Sequence, residues 1–185
     1  MKKNDIIIIT CGLLLFIGSM AFVIYRVFFA DLWSKNSDKL NRELCKLKIE
    51  KEQTIFVGDI RQYIPFEWDT MYTFKPEVSI EKIYEVIGYK WTKITKATNK
   101  GMNQLVFLKD GKVVGYVYGY PKARKVFFDF GEYKGDYFTL TNNDALNMEM
   151  NMNKKGIRTF KYVKPEELEK DSWRVSFVKN KNWLF

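Results

Sequence analysis

The chain has 185 residues, of which 46% are hydrophobic and 29% are charged. Aromatic residues make up 17% of it, and this excludes a disordered chain, because disordered segments are poor in aromatic side chains. The length suffices for one domain with its own core. The absence of histidine excludes histidine-based catalytic triads and histidine-ligated zinc sites. The net charge of +9 favours anionic partners.

An uncharged apolar run, residues 6–25, lies near the start of the chain. A helix of about 20 residues rises about 30 Å, which matches the hydrocarbon thickness of a bilayer. The run therefore predicts a single transmembrane helix over residues 6–27.

The flanks of this run predict its orientation. Lys2 and Lys3 precede it, and a short basic tail before the first apolar segment is typical of a signal anchor. We therefore expect a cytoplasmic tail at residues 1–5 and a domain outside the cell. Cleavage as a secretory signal at Ser19-Met20-Ala21 is the alternative, although the apolar run continues beyond that site.

A second amphipathic stretch follows. Leu40, Leu44 and Leu47 stand at helical spacing with charged residues between them, and this predicts a helical stalk over residues 28–51. We expect the leucines to pack on a folded domain at residues 52–185. A dimerising coiled coil is the alternative, and it needs more heptads than this stretch provides.

Residues 66–74 alternate with a period of two and predict a half-buried strand. The large side chains, including Trp68, fall on the buried face. The opposite face carries Glu67, Asp69, Met71 and Thr73.

A short helix is predicted next. Ser79 is a suitable N-cap, Ile83 lies on its apolar face, and Gly88 follows its end.

The second half of the chain has the pattern of strands. Asp110-Gly111 separates two β-prone runs and predicts a tight hairpin, and 165–170 predicts a short helix or turn. Helices followed by a meander of strands indicate an α+β fold with a mostly antiparallel sheet, preceded by the transmembrane helix and stalk. The predicted strands of this half are 104–109, 112–119, 125–130, 136–141, 146–152, 158–163 and 173–178.

Two stretches, 59–88 and 105–116, carry a set of motifs. The first contains F-x-W-D-x-x-Y-x-F and P-x-x-S-x-E-x-I, and the second contains an apolar-F-x-x-D-G-K hairpin. They resemble a group of small secreted or membrane-anchored proteins of Gram-positive bacteria. The resemblance implies an envelope location and an architecture, but no activity. The matching residues are Phe66, Trp68, Asp69, Tyr72, Phe74, Pro76, Ser79, Glu81, Ile83, Phe107, Asp110, Gly111 and Lys112.

Glu67 and Asp69 are the first candidate functional residues. Two residues apart on a strand, their carboxylates lie about 7 Å from each other, a separation compatible with inverting glycoside hydrolysis. The alternative is a solvated strand face on which Asp69 pairs with a lysine or a backbone amide.

A row of methionines at Met148, Met150 and Met152 alternates with polar residues. Thioethers suit Cu(I), but methionine on the inner face of a strand is also ordinary core filling. An adaptable contact surface for a partner is a third interpretation.

Aromatic residues and cations are interleaved over residues 116–138. Rings beside cations can bind glycans or single-stranded nucleic acid, and a core rimmed by basic residues is the alternative. Because an outward-facing domain does not meet nucleic acid, we expect an anionic envelope component or an acidic protein instead. The candidate binding residues here are Lys122, Arg124, Lys125 and Tyr133.

Cys45 is the one cysteine of the predicted domain and stalk, so no disulfide is expected there. It lies near Lys46 and Lys48, which favour a thiolate, but no base is available to make it a nucleophile. We predict no catalytic residues, cofactor or metal.

These observations favour a membrane-anchored, non-enzymatic binding domain at the cell surface. An immunity or exclusion protein that binds a protein or an anionic envelope component has this organisation. One alternative is a structural subunit of an envelope secretion or conjugation apparatus. The other is a small hydrolase that uses Glu67 and Asp69.

Overall fold

The computed structural model describes residues 12–21, 23 and 32–170, and residues 12–21 and 23 are helical. Elements within 32–170 are named in chain order. The helices are α1 (Leu32–Lys46), α2 (Ile80–Ile87), α3 (Pro121–Arg124) and α4 (Pro165–Lys170), and a 3₁₀ turn covers Ile60–Tyr63. The strands are β1 (Thr54–Asp59), β2 (Thr70–Phe74), β3 (Asn103–Lys109), β4 (Lys112–Gly119), β5 (Val126–Asp129), β6 (Tyr137–Thr141), β7 (Asn147–Met152) and β8 (Arg158–Tyr162).

The described strands form two four-stranded sheets. Sheet A has the order β1-β7-β8-β5, and sheet B has the order β4-β3-β2-β6. Neighbouring strands are antiparallel except β5 and β8, which are parallel. The α+β class and the mostly antiparallel pairing are thus confirmed. The predicted meander is wrong, because β6 pairs with β2 in sheet B while β5 and β7 belong to sheet A.

The main core lies between the two sheets. Phe107 of β3 and Phe160 of β8 belong to one buried cluster, to which α1 contributes Leu40 and Leu44. A second cluster covers the opposite face of sheet B, where Ile83 of α2 packs. Sheet B is therefore buried on both faces.

Helix α1 also covers the outer edge of β4. Ser37, which is 1% exposed, accepts a hydrogen bond at Oγ from the Tyr116 amide (2.8 Å). Its hydroxyl lies 2.9 Å from the Tyr116 carbonyl and 2.7 Å from the Trp33 carbonyl. Asn36 donates to the Val114 carbonyl (2.8 Å). These side chains satisfy backbone groups that another strand would otherwise pair.

Two buried carboxamides at the start of β3 also satisfy backbone groups that lie outside the strand ladders. Asn103 donates to the Val126 carbonyl (2.8 Å) and accepts from the Phe128 amide (3.0 Å), so it joins sheet B to β5 of sheet A. Gln104 bonds to the backbone of residues 95–97 at 3.1 and 2.9 Å. The carboxamides therefore tie together segments that share no ladder.

Local sequence signals are confirmed at two boundaries. Ser79 Oγ accepts a hydrogen bond from the Lys82 amide (3.1 Å) at the start of α2, and Gly88 ends the helix with φ of 85°, a conformation that glycine adopts readily. Asp110 and Gly111 have φ of 49° and 68°, as a type I′ hairpin requires.

The predicted strands of the second half match β3 to β8 to within one residue at each end, except 173–178, which lies outside the described residues. The helix or turn at 165–170 is α4. Strand β1 and helix α3 were not predicted.

The predicted strand at 66–74 is only partly correct. β2 begins at Thr70, and residues 66–69 form no strand. Met71 and Thr73 are 0% and 7% exposed instead of half-exposed, because sheet A covers the face that was expected to be solvated. Trp68 is buried, as predicted. The face assigned to it is wrong, because Trp68 packs in the main core with Met71, whereas Tyr72 and Phe74 belong to the second cluster.

The predicted transmembrane helix is wrong. Among the residues that the structure describes, no helix combines the length and the apolar character needed to span a membrane. Residues 12–21 account for about 15 Å of helix, roughly half of the hydrocarbon thickness. The other residues of the predicted span, 6–11, 22 and 24–27, lie outside the described residues, as does the predicted tail at 1–5.

The predicted stalk corresponds in part to α1. Residues 28–31 lie outside the described part of the chain, whereas Leu40 and Leu44 are fully buried in the main core. The leucines pack on the domain as expected, and α1 is a structural part of the sandwich. The boundary predicted at residues 51 and 52 stays a prediction.

We expect Ser37→Ala to destabilise the protein by about 1–3 kcal/mol, because the buried amide and carbonyl of Tyr116 lose their partner. Urea unfolding of the full chain measures the change. Ser34→Ala, on the same helix, is the matched control, since the Ser34 hydroxyl forms no hydrogen bond with a described residue. Equal stability of the two variants would contradict the role assigned to Ser37.

We expect Trp68→Ala to cost about 3–5 kcal/mol and to lower the thermal midpoint sharply. Trp68 is 6% exposed, and its ring lies 5.7 Å from that of Phe107 in an edge-to-face contact. Thermal unfolding followed by circular dichroism checks the shift. Glu67→Ala, at the exposed neighbouring position, should leave the midpoint almost unchanged.

Candidate binding surfaces

The predicted site residues fall in three separate places. Asp69 lies beside the β3–β4 hairpin, and Glu67 is exposed nearby. The three cations of residues 122–125 lie on and just after α3. Tyr133 lies in the loop between β5 and β6. The six residues therefore do not form one site.

Asp69 holds the β3–β4 hairpin in place. Its Oδ2 accepts a hydrogen bond from the Asp110 amide (2.7 Å), and its Oδ1 accepts one from Lys109 Nζ (2.9 Å). The Asp110 amide first, and then Lys109, lower the pKa of Asp69, and the bond to Asp69 raises the pKa of Lys109. This is the arrangement expected of a structural carboxylate paired with a lysine and a backbone amide.

The predicted carboxylate pair is not formed as a catalytic unit. Glu67 and Asp69 precede β2 and do not share a strand face, and both oxygens of Asp69 are occupied by the hairpin. The geometry therefore does not support the general acid and base roles of a hydrolase.

We expect the stability contributed by Asp69 to depend on pH. Because its pKa is lowered in the folded state, this contribution is complete above the unfolded pKa of about 4 and is lost as the pH falls through the folded value. The difference in thermal midpoint between wild type and Asp69→Asn should therefore be largest near neutral pH and shrink below about pH 4. Glu67→Gln is the control, and a constant difference for Asp69→Asn would contradict the assignment.

Helix α3 concentrates positive charge. Pro121 occupies its first turn, and Lys125 ends it with φ of 60°. Arg124 pairs with Asp38 of α1 (3.0 Å), so it fastens α3 to α1. Lys125 Nζ reaches the Lys155 carbonyl (3.5 Å), while Lys122 is exposed and makes no ion pair with a described residue. Of the predicted cations, Lys122 and Lys125 are thus the ones available to a ligand.

Tyr133 borders a groove of about 870 Å³. One wall is the end of β2 with Lys75, and the other is β5 with the loop that follows it. Lys75 Nζ lies 5.5 Å from the centre of the Tyr133 ring, and burial raises the pKa of Tyr133. The groove combines aromatic rings with charges of both signs, including Asp129 and Glu132.

The free edge of β6 lies next to this loop and was not found from the sequence. Two backbone bonds flank the pairing of β6 with β2, from the Asn142 amide to the Asp69 carbonyl and from the Lys75 amide to the Asp136 carbonyl, both at 2.9 Å. In an antiparallel pair, residues alternate between those that bond to the partner and those that point away. The even-numbered residues of β6 are therefore the ones that bond to β2.

Tyr137 and Thr139 consequently direct their amides and carbonyls away from sheet B. No residue within 32–170 bonds to these four groups. Thr141 differs, because its amide donates to Asp144 Oδ2 (2.8 Å) and its carbonyl accepts from the Asp144 amide (3.1 Å). Asp144 thus closes one end of the open edge.

The three other sheet edges are protected. Helix α1 covers β4, and Asn103 occupies the outer edge of β5. β1 carries a bulge between Phe56 and Gly58, where φ of Gly58 is 78°. Bulges and covering elements are the usual devices that prevent unwanted strand pairing. Within residues 32–170, β6 has neither a bulge nor a covering element, and its own five residues include no charge or proline.

The methionine row belongs to the core. Met148 and Met150 are 0% exposed and Met152 is 9% exposed. This burial confirms the interpretation of the row as core filling, in preference to a copper site or a contact surface. Cys45 is a partly buried free thiol, 3.9 Å from the Arg124 carbonyl. Among the described residues, no group of three or more acidic or cysteine side chains is placed to hold a metal ion.

No protein-family model, curated protein or solved structure matches the chain. The resemblance to small Gram-positive envelope proteins therefore stays a prediction.

Proposed function

We propose that this protein is a non-enzymatic binding domain that captures an extended segment of a partner protein along the free edge of β6. The observation that carries the proposal is the open edge at Tyr137 and Thr139, on a sheet whose opposite edge is covered. Strand addition of this kind draws affinity from main-chain hydrogen bonds and specificity from side-chain contacts at alternate positions.

Side chains on both sides of the edge support this mode of binding. Tyr137 is 38% exposed, and its ring lies 5.8 Å from that of Tyr72 and 6.0 Å from that of Phe74. On the other side, Phe138 contacts Tyr133 at 5.7 Å. An added strand would therefore meet aromatic surface on both faces, and such surface contributes strongly to protein interfaces.

The absence of a complete catalytic group among the described residues favours binding over the hydrolase alternative. Asp69 is engaged by the hairpin, and Cys45 has no neighbouring base. A domain that occupies a partner in this way suits an immunity or exclusion role. That role, and the alternative of a subunit in a larger apparatus, stay predictions.

We expect Thr139→Pro to weaken capture of the partner at least about tenfold, because it removes an outward amide that strand addition requires. This amide does not bond to β2, so the sheet keeps its ladder, and edge strands tolerate proline. Affinity-tagged full chain is used to recover partners, and the binding of each recovered partner is then measured with purified components.

Thr92→Lys and Thr139→Lys form a matched pair of variants. Both add a lysine at an exposed threonine, but only the second places it on the open edge, where lysine opposes strand pairing. A partner that binds wild type and Thr92→Lys equally, and binds the two Thr139 variants much more weakly, would support the proposal. A partner held equally by all four proteins would contradict it.

A further inference from the structure

A second surface, which shares no residue with β6, forms where the chain leaves α1. A cleft of about 510 Å³ lies there, between residues 45–50 and the start of β8. Its lining includes Lys46, Lys48 and Arg158, and the one carboxylate in it is Glu50.

Arg158 is the unusual residue of this cleft. Its Nε is buried and makes no hydrogen bond to a described residue, and no described carboxylate forms an ion pair with its guanidinium. Leaving a buried donor of a charged group unsatisfied is costly, so such groups usually have a partner. The free cation therefore points to a ligand of negative charge.

The surroundings add charge of the same sign. Arg158 donates from its backbone amide to the Lys125 carbonyl (2.8 Å), which brings Lys125 and the Lys155 backbone beside it. Lys48 is exposed at the cleft and has no ion-pair partner within residues 32–170. Glu50 accepts a hydrogen bond from Gln53 Nε2 (3.3 Å), and it forms no ion pair with Arg158.

We propose that this cleft binds the phosphate group of an anionic ligand, with Arg158 as its main contact and Lys46 and Lys48 at its rim. The planar guanidinium matches the oxygens of a phosphate through paired hydrogen bonds. Several cations at one cleft favour phosphate over a single carboxylate, because phosphate carries a charge of about −1.5 to −2 at neutral pH. This site is separate from the strand-addition edge of the proposed function.

Titration of the full-length protein with inorganic pyrophosphate tests the site by calorimetry and by thermal stabilisation. We expect wild type to bind it, and Arg158→Gln to lose roughly tenfold or more in affinity, because charged hydrogen bonds are removed. Arg42→Gln, at an exposed arginine on α1, is the matched control and should bind like wild type. Malonate, a dicarboxylate, should bind more weakly than pyrophosphate.

Lys48→Gln keeps the test valid if Arg158→Gln does not fold, since Lys48 is exposed. It should weaken pyrophosphate binding, whereas Lys93→Gln, at an exposed lysine elsewhere, should not. The proposal is overturned if wild type does not bind pyrophosphate, if malonate binds as tightly, or if the cleft variants bind like their controls. Thr139→Pro should bind pyrophosphate normally, so a failure of the proposed function is distinguished from a failure of this site.

Discussion

Buried polar side chains that pair with the backbone hold this sandwich together. The hydroxyl of Ser37 and the carboxamide of Asn103 each form two hydrogen bonds to backbone that no strand reaches. Without them, the edges of β4 and β5 would carry unsatisfied groups beside the core. Because α1 and β5 are positioned by these bonds, the packing of Leu40 and Leu44 between the sheets depends on them as well.

The sheet edges that are covered and the one that is not explain where binding is expected. Side chains of α1 and Asn103 bond to the outer edges of β4 and β5, and a bulge interrupts β1. Within residues 32–170, the outward main chain of β6 at Tyr137 and Thr139 has no such partner. Positive charge is concentrated elsewhere, on α3 and at the end of α1. Asp38 and Glu43 neutralise only part of this charge. The main-chain edge suits a polypeptide, and the cationic cleft suits a phosphate, so the two surfaces call for different chemistry.

Sequence reasoning succeeded where the signal was local. The cap at Ser79, the turn at Asp110-Gly111 and the strands of the second half depend on neighbouring residues, and each was predicted. The burial of Met71 was missed because it depends on sheet A, which a single strand pattern does not report. Ser37 and Asn103 look like ordinary polar residues in the sequence, since their roles come from backbone far along the chain. The apolar run at 6–25 predicted a membrane span that the described helices do not support.

The interleaving of the two sheets has a consequence for the order in which the molecule assembles. Sheet B is built from strands that are complete once β6 has been synthesised, whereas β1 must wait for β7; Thr54 and Asn151 are 97 positions apart. Closing so long a loop is entropically costly and slows folding. During synthesis, sheet B can therefore assemble on the ribosome while β1 still lacks its partner strand.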